Sequence, residues 1–508
     1  MKRYLVQTFG CQMNVHDSRR IEEVLAQGGW EPTDEAGLAS LIVFNTCSVR
    51  EKAEHKLLSV LGTMRGLKAS NPDLVIAVAG CVAQQEGEKL LARAPVIDLV
   101  IGPDNIPELP ALVAHAQDGG PPIARTVFDL EDPRFLEAIP RAGRAGDASR
   151  ESPREVASFV TVMKGCDERC TFCIVPYTRG PERYREADAI VGEIRGMALA
   201  GVREVTLLGQ TVNSWNDPSD ASDASSPRES RFAELLHRIA REVPELRRLR
   251  YTSPHPRHVT GALVRAHAEL DVLPAHVHLP VQSGSNRVLK RMLRRYTREL
   301  YVDRARALQG SREGLTLSTD LIVGFPGETE EDFLETLSLV REVGFVAAFA
   351  FKYSPRPFTP ALKLGDDVSE EIKDERLARL LELVGELQSA HLSTLVGART
   401  DVLFESPSGV KSTMSAADQP REGGARWKGR SGRHEIVHVD VPADVDLTGE
   451  LVPVVIERAN AHSLQGRVDV PLESLRRLSL GAPAPRAASR VRLPVLSRAK
   501  VASQEPAR

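Results

Sequence analysis

Three cysteines, Cys166, Cys170 and Cys173, fall within the stretch MKGCDERCTFCIVPYTRG, Met163–Gly180. A structural zinc site takes four ligands, given as CxxC pairs or as cysteine–histidine mixtures. Here only Cys170 and Cys173 are spaced as CxxC, and the stretch holds no histidine. Six cysteines in 508 residues are also too sparse for a disulfide-stapled secreted domain. Three thiolates can instead hold three irons of a [4Fe–4S] cube and leave the fourth iron open. An open metal position is a reactive one.

The other three cysteines repeat the pattern at longer range. YLVQTFG (Tyr4–Gly10), LIVFN (Leu41–Asn45) and LVIAVAG (Leu74–Gly80) are short β-rich runs, and Cys11, Cys47 and Cys81 come just after them. Polar, helix-compatible segments such as SVREKAEHKLLSVLGTM separate the runs, which is the βαβ pattern of an open parallel sheet. Such sheets bind ligands outside the carboxyl ends of their strands, so three cysteines in that register can converge on one point. A single such cysteine reads as a buried structural thiol. Three in one register read as a second cluster site.

These sites need scaffolds, and the chain divides accordingly. Residues 1–118 are expected to form the N-terminal α/β domain and 119–154 a linker, its later part rich in Pro, Gly, Ala, Ser and Arg. Residues 155–387 carry six strand candidates: SFVTVMKG, EVTLLGQ, LRRLRYTS, HVHLPVQ, LTLSTDLIVGFPGE and VAAFAFKYSP. Six βα units predict an incomplete (β/α)6 barrel with its chemistry at the strand C-terminal face, and the cysteine triplet follows the first strand. The polar insert Asn216–Arg231 reads as disordered. Residues 391–474 change to short β-rich runs and predict a small all-β barrel or sandwich. Within it, Arg426, Lys428, Arg430 and Arg433 lie close to Trp427 and His434, a composition that suits a nucleic-acid surface, although a solvated charged face is its commoner meaning. The tail, 475–508, has eight Lys/Arg against Glu505 and reads as disordered, with non-specific affinity for RNA phosphates.

The composition is ordinary for globular domains, with 42% hydrophobic and 27% charged residues. No apolar run reaches the length of a membrane span. The N-terminus lacks the small-residue cleavage site of a signal peptide, which points to the reducing cytoplasm. A net charge of −3 does not advertise a nucleic-acid partner, so any such role depends on local patches.

With these residues in view, the chain resembles the radical S-adenosylmethionine (SAM) methylthiotransferase family. CxxxCxxC with Phe172 before the last cysteine, TFGCQMNVHDS, NTCSVREKAE, VAGCVAQ, VTLLGQTVNSW, HVHLPVQSGSNRVLKRM and STDLIVGFPGETEEDF carry the resemblance. It runs over nearly all of residues 1–474, and the β-rich region is similar to the family's RNA-binding TRAM domain. The text around Cys11 and Cys47 resembles the branch that acts on N6-dimethylallyladenosine in tRNA. Branches acting on threonylcarbamoyl-adenosine or on a ribosomal-protein aspartate are the alternatives.

The resemblance implies that Cys166, Cys170 and Cys173 hold the radical SAM cluster, whose open iron chelates the methionine end of SAM. It places Phe172 near the adenine and nominates Asp320, Gly324 and Phe325 at a strand end that meets the cofactor. Gln210, Asn213 and Gln282 are read as polar contacts or as hydrogen bonds supporting the site from behind. Cys11, Cys47 and Cys81 then hold the auxiliary [4Fe–4S] cluster. The implied reaction uses two equivalents of SAM. One yields a radical that takes hydrogen from C2 of the modified adenine, and the other supplies the methyl group after the auxiliary cluster supplies sulfur. The implied partners are a tRNA anticodon stem-loop, a reductant protein such as flavodoxin or ferredoxin, and a sulfur source. Neither a membrane nor a second copy of the chain is expected. The adenosine sits in a single-stranded loop and can be splayed out without opening a duplex. A non-catalytic iron–sulfur RNA-binding protein is the reading from another class. Against it, neither cysteine set has a fourth protein ligand in its motif. The departures from the family pattern are the insert at 216–231, the interruption Met414–Ala425 and the tail.

Overall fold

The computed structural model describes residues 2–48, 51–130, 155–219, 230–408 and 424–479. The later part of the expected linker, the centre of the polar insert, most of the Met414–Ala425 interruption and the tail beyond 479 lie outside the described residues.

Six strands, β1 (Arg3–Phe9), β2 (Glu31–Pro32), β3 (Leu41–Thr46), β4 (Val75–Ala79), β5 (Leu99–Ile101) and β6 (Ile123–Arg125), form one parallel sheet in the order β2-β1-β3-β4-β5-β6. Every residue of β3 and β4 is buried, because helices cover both faces. Alternate residues therefore feed two cores. Leu41 and Val43 meet Ile21 and Leu25 of the helix Gln12–Gln27, while Ile42 and Phe44 meet Leu57 and Leu61 of the helix Glu51–Ser70. The strand order reverses between β1 and β3, and that reversal opens a crevice at their carboxyl ends. The sheet continues past residue 118 into β6, so the N-terminal unit runs further than its composition suggested.

The central unit holds β7 (Ala157–Thr161), a small antiparallel ribbon of β8 (Met163–Lys164) and β9 (Arg183–Tyr184), then β10 (Glu204–Leu208), β11 (Arg248–Tyr251), β12 (His276–His278), β13 (Thr316–Val323) and β14 (Ala347–Lys352). β7, β10 and β11 form one parallel sheet, and β12, β13 and β14 form another. These six strands make the incomplete (β/α)6 barrel. Its helices pack on the outer faces through residues such as Val205, Leu207, Leu317 and Leu321. The helix Gln12–Gln27 lies against β7, where Arg19 donates to Ser158 Oγ at 2.6 Å and His16 shares a hydrogen bond with Thr161 Oγ1 at 3.2 Å. The polar insert leaves and rejoins the barrel at one point. The Arg231 N–H and Ser230 Oγ both bond the Trp215 carbonyl, at 3.2 and 3.1 Å.

The helix Glu370–Thr394 runs through the 387–391 boundary. Leu380 and Leu383 belong to the barrel core and Leu392 to the next core, so one periodic helix serves two domains. Five strands then close a small barrel in the order β15-β16-β17-β19-β18: β15 (Arg399–Pro407), β16 (Gly424–Ser431), β17 (Ile436–Pro442), β18 (Leu451–Ala459) and β19 (Leu464–Val468). A helix, Leu472–Ser479, follows, and Leu475 is fully buried in the small barrel's core. The first residues assigned to a disordered tail are therefore part of the fold, because Leu475 supplies an apolar side chain that the barrel end needs.

The small barrel docks at the N-terminal ends of the large barrel's strands. Arg248, which opens β11, donates to the Arg430 and Asp401 carbonyls at 2.6 and 2.9 Å. Arg433 donates to the Gly314 carbonyl at 2.8 Å, and the rings of His276 and His434 stack 6.2 Å apart. All of these lie at the end opposite the cysteine loop.

Candidate active site at the carboxyl ends of two sheets

Cys11 caps the helix Gln12–Gln27 directly after β1, Cys47 follows β3, and Cys81 opens the helix Cys81–Glu86 after β4. Two glycines let these ends crowd together. A Cβ on Gly10 would stand 2.6 Å from Cys47 Cβ, and one on Gly80, which has φ +91°, would stand 2.8 Å from the Thr46 carbonyl oxygen. An asparagine pair ties the turn to the sheet. Asn14 Nδ2 donates to Asn45 Oδ1 at 3.1 Å, and Asn45 Nδ2 returns a bond to the Asn14 carbonyl at 2.8 Å. Cys11 Sγ donates to Asn14 Oδ1 at 3.3 Å. The Cys11 thiol is pulled down to about 6, foremost by a hydrogen bond with Cys47, against its own burial and with help from the Arg179 guanidinium.

The second triple sits on the loop after β8. Gly165, with φ +85°, lets the chain turn where a Cβ would run into the Pro181 carbonyl. Thr171 fastens the loop from both sides: its N–H donates to the Met292 carbonyl at 3.0 Å and its Oγ1 to the Arg291 carbonyl at 2.9 Å. Cys166 Sγ meets Thr211 Oγ1 at 3.0 Å, and Cys170 Sγ accepts from Arg294 Nη1 at 3.2 Å. Burial pushes the Cys166 and Cys173 thiols up to about 12, so iron or another cation is what would make thiolates of them at neutral pH.

Neither triple is set for a single tetrahedral ion. Tetrahedral zinc sets its sulfurs about 3.8 Å apart. Among the described residues, neither triple brings its three sulfurs within 4.8 Å of one another; Glu168, His255 and His258 are the group whose ligand atoms do. That trio is an ion-pair knot rather than a metal cage. Glu168 Oε1 accepts from His258 Nε2 at 3.1 Å and from Arg257 Nη1 at 3.3 Å. Burial first, then the charges of Arg294, His258, Arg257 and Arg295, hold His255 well below the ordinary histidine range, an environment hostile to a cation. The knot anchors the cysteine loop to the segment after β11.

Buried charges lock the two sheets together. Arg179, six residues past Cys173, reaches into the N-terminal unit and donates Nε to Cys81 Sγ at 3.2 Å and both Nη groups to Asp17. Lys164, two residues before Cys166, pairs with the buried Asp104, which also accepts from Arg183 Nη1 at 2.8 Å. The motifs drew attention to the cysteines and passed over Arg179, Asp17, Asp104 and Arg294. Arg179 and Asp17 do lie inside the quoted motifs PYTRG and NVHDS, so position beside a cysteine was the available signal.

The other expected site residues divide. Gln210 Oε1 accepts from the Gly165 N–H at 2.5 Å, and its Nε2 is buried with no partner among the described residues. Phe172 is half-buried, edge-on to Phe325 at 6.5 Å. Asp320, partly exposed, lies 3.5 Å from His278 Nε2 on the inner face of the second sheet. Gln282 holds a left-handed φ of +77° and bridges to β13 through its backbone. Two residues nominated at the cofactor strand end, Phe325 and Gly324, are engaged within the fold, and Asn213 takes the supporting one of its two readings. Phe325 is fully buried between Phe172 and Tyr353, so it supports Phe172 from behind. The Gly324 N–H is taken by Glu328 Oε2 at 2.6 Å. Asn213 exchanges two bonds with the His255 backbone.

The expected nucleic-acid surface is corrected at Trp427 and Arg426, which are buried. Trp427 is 2% exposed, in the core of the small barrel. Arg426 is buried and bidentate to Asp440 at 2.7 and 2.9 Å. Lys428 and Arg430 share Glu405, at 3.6 and 2.9 Å, and Arg433 is spent on Gly314. Asp440 neutralises Arg426, Glu405 is shared by the partly exposed Lys428 and Arg430, and a neutral backbone carbonyl holds Arg433.

Residues 3–102 match the family described as Uncharacterized protein family UPF0004, and residues 160–340 match the Radical SAM superfamily. Among solved structures, the radical SAM methyltransferase TsrM from Kitasatospora setae aligns with 14% identity and a TM-score of 0.49, over 81% of this chain and 79% of that one. The cysteine-bearing barrel thus defines a radical SAM protein with a second cysteine-bearing α/β domain. The tRNA-2-methylthio-N(6)-dimethylallyladenosine synthase of Sorangium cellulosum is 59% identical over 474 residues, 92% of this chain and 93% of that protein. The chain belongs to the radical SAM methylthiotransferase family. Members use SAM and [4Fe–4S] clusters. No described helix is long and apolar enough to cross a membrane.

Proposed function

We infer that this chain adds a methylthio group at C2 of N6-dimethylallyladenosine beside the anticodon of tRNA. The observation that carries the reading is the 59% identity, spanning 92% of the chain, to a protein named for that product. In this reading Cys166, Cys170 and Cys173 hold one cluster and Cys11, Cys47 and Cys81 the other. When bound, the clusters and SAM supply the radical chemistry and the sulfur that an unactivated aromatic C–H requires and that acid–base side chains cannot provide.

The chain's own residues bind, orient and exclude. Buried Cys166 and Cys170 keep water from the first triple. The half-buried ring of Phe172, braced by Phe325, offers a face to the adenine of SAM, and Gln210 Nε2 offers it a donor. Arg179–Asp17 and Lys164–Asp104 hold the two cysteine sets in one register, so that one substrate adenine is presented to both. A low-potential donor of the flavodoxin or ferredoxin class, a sulfur source, a monomeric state and the cytoplasm complete the proposal.

Two measurements test it. Anaerobic reconstitution is expected to give about eight irons per chain, falling to about four in a Cys166/Cys170/Cys173→Ala variant. Zinc in place of iron, or about four irons in the unmodified protein, overturns the ligand assignment. Mass spectrometry of tRNA nucleosides from a deletion strain is expected to show the methylthio nucleoside lost and its prenylated precursor accumulated. An unchanged profile overturns the substrate assignment.

A further inference from the structure

We propose that Arg294 is a positioning residue that sets how readily the cluster at Cys166, Cys170 and Cys173 accepts an electron, by supplying a buried positive charge whose counter-ion is that cluster. The inference rests on the ligand assignment above and goes beyond it. Arg294 is 7% exposed. Its guanidinium donates to Cys170 Sγ at 3.2 Å, to the Tyr296 hydroxyl at 3.0 Å and to the Pro280 carbonyl at 3.3 Å. It also lies 5.2 Å from the Tyr296 ring centre. Apart from the cysteine, every one of these partners is neutral. Among the described residues, no carboxylate lies within ion-pair distance of it. The other buried arginines near the domain contacts are paired: Arg179 with Asp17, Arg250 with Glu204 and Arg376 with Glu328.

A buried cation without a counter-ion is among the most unfavourable groups a fold can carry. The backbone around Arg294 is strained as well. Leu293 and Arg295 adopt left-handed φ values of +55° and +56°, unusual for residues with side chains, and they bracket Arg294. A chain that holds an unpaired charge between two strained residues is aiming that charge at something. The group within reach is Cys170.

The electrostatics then have a definite sign. Three thiolates on a [4Fe–4S] cube make an anion, and one electron from a low-potential donor adds one more negative charge. A fixed cation in a poorly solvated setting favours the reduced form and raises the reduction potential. Arg179 touches the other triple through Cys81, but Asp17 neutralises it, so its effect there is weaker. The two cysteine sets thus receive unequal help, and the larger share goes to the site that must be reduced to cleave SAM.

The test is a redox titration followed by electron paramagnetic resonance, on full chain reconstituted anaerobically. A Cys11/Cys47/Cys81→Ala background leaves one cluster to observe. Arg294→Met is expected to lower the midpoint by at least a factor of ten in the reduction equilibrium, about 59 mV for one electron. Arg294→Lys, which keeps the charge, is expected to recover most of that shift. A Met variant that holds its cluster and titrates at the unmodified potential overturns the proposal, as does a Lys variant no better than Met. Should Arg294→Met fail to assemble a cluster, thermal unfolding of the iron-free chains decides. Without a cluster the charge is uncompensated, so the iron-free Met variant is expected to melt at or above the iron-free parent, and a clearly lower melting point overturns the proposal. Iron retained in full by the Cys166/Cys170/Cys173→Ala variant would instead condemn the ligand assignment, a result separate from an unmoved potential.

Discussion

Arg179 and Asp17 form a bidentate ion pair, at 3.2 and 2.5 Å, with 2% and 0% of their side chains exposed, and they join two separately cored domains. Asp17 lies on the helix that Cys11 caps, and Arg179 ends the short helix that follows Cys173. Removing Asp17 leaves the Arg179 charge buried with Cys81 Sγ as its remaining side-chain partner among the described residues. Asp17→Ala is expected to destabilise the protein by about 3–5 kcal/mol, read from urea unfolding midpoints. The double variant Asp17→Leu/Arg179→Met should recover most of that loss, since an apolar pair replaces the charges. A double variant as unstable as the single would show that the charges themselves are required.

Gly80 should tolerate no side chain. At φ +91° a methyl group is strained and stands 2.8 Å from the Thr46 carbonyl oxygen, at the turn that places Cys81. Gly80→Ala is expected to lose about half the iron after reconstitution, leaving the Cys166/Cys170/Cys173 cluster's paramagnetic signal in place. Gly62→Ala, in open space on the helix Glu51–Ser70, is the control and should keep all of it.

Trp427 should behave as a core residue. Trp427→Ala is expected to cost about 3–5 kcal/mol in the unfolding of the small barrel. Its indole N–H is buried with no partner among the described residues, so Trp427→Phe should cost far less. Lys428→Ala, on a partly exposed pair with Glu405, should change stability by no more than about 1 kcal/mol. Denaturation curves beside tRNA filter binding separate these outcomes. A Trp427→Ala chain of normal stability with weakened tRNA binding would reverse the assignment.

Asp332 should show in the acid limb of stability. It joins Thr329 in the capping box of the helix Glu330–Val343 and accepts from Ser285 Oγ at 2.5 Å and from the Thr329 N–H at 2.8 Å. Burial opposes the shift, but bonds from Arg287, Ser285 and Thr329 outweigh it and hold the carboxyl well below the usual aspartate range. A depressed folded pKa contributes stability that is fully present above the ordinary aspartate value near 3.9 and is lost as pH falls through the folded value. Asp332→Asn is therefore expected to cost about 1–2 kcal/mol at neutral pH, with the difference shrinking as the pH is lowered below about 3.9. Thermal melts over a pH series check this, and a constant offset between the two proteins would contradict it.

Much of this architecture could be read from residue order. The cysteines were legible because thiolate chemistry at a strand end is specific, and β3 and β4 because strands covered on both faces are apolar throughout. Partner choice was not. Nothing local to Asp17 says that an arginine 162 positions later will reach it, since that pairing exists only once two sheets dock. Trp427 was misread although its signal was present. Arg426, Lys428 and Arg430 alternate with Trp427, Gly429 and Ser431, and a period of two sends the tryptophan inward. The 387–391 boundary was hidden because one uninterrupted helix contributes to the cores on both sides of it.

The pinned stem of the 216–231 excursion has a consequence for the history of the gene. With the Trp215 carbonyl holding both Ser230 and Arg231, the ends stay closed whatever lies between them. Each doubling of such a loop costs only about 0.6 kcal/mol in closure entropy. Codons can therefore be gained or lost there over generations while β10 and the helix Phe232–Glu242 keep their places. A length change of one residue between Gly165 and Cys173 has no such freedom.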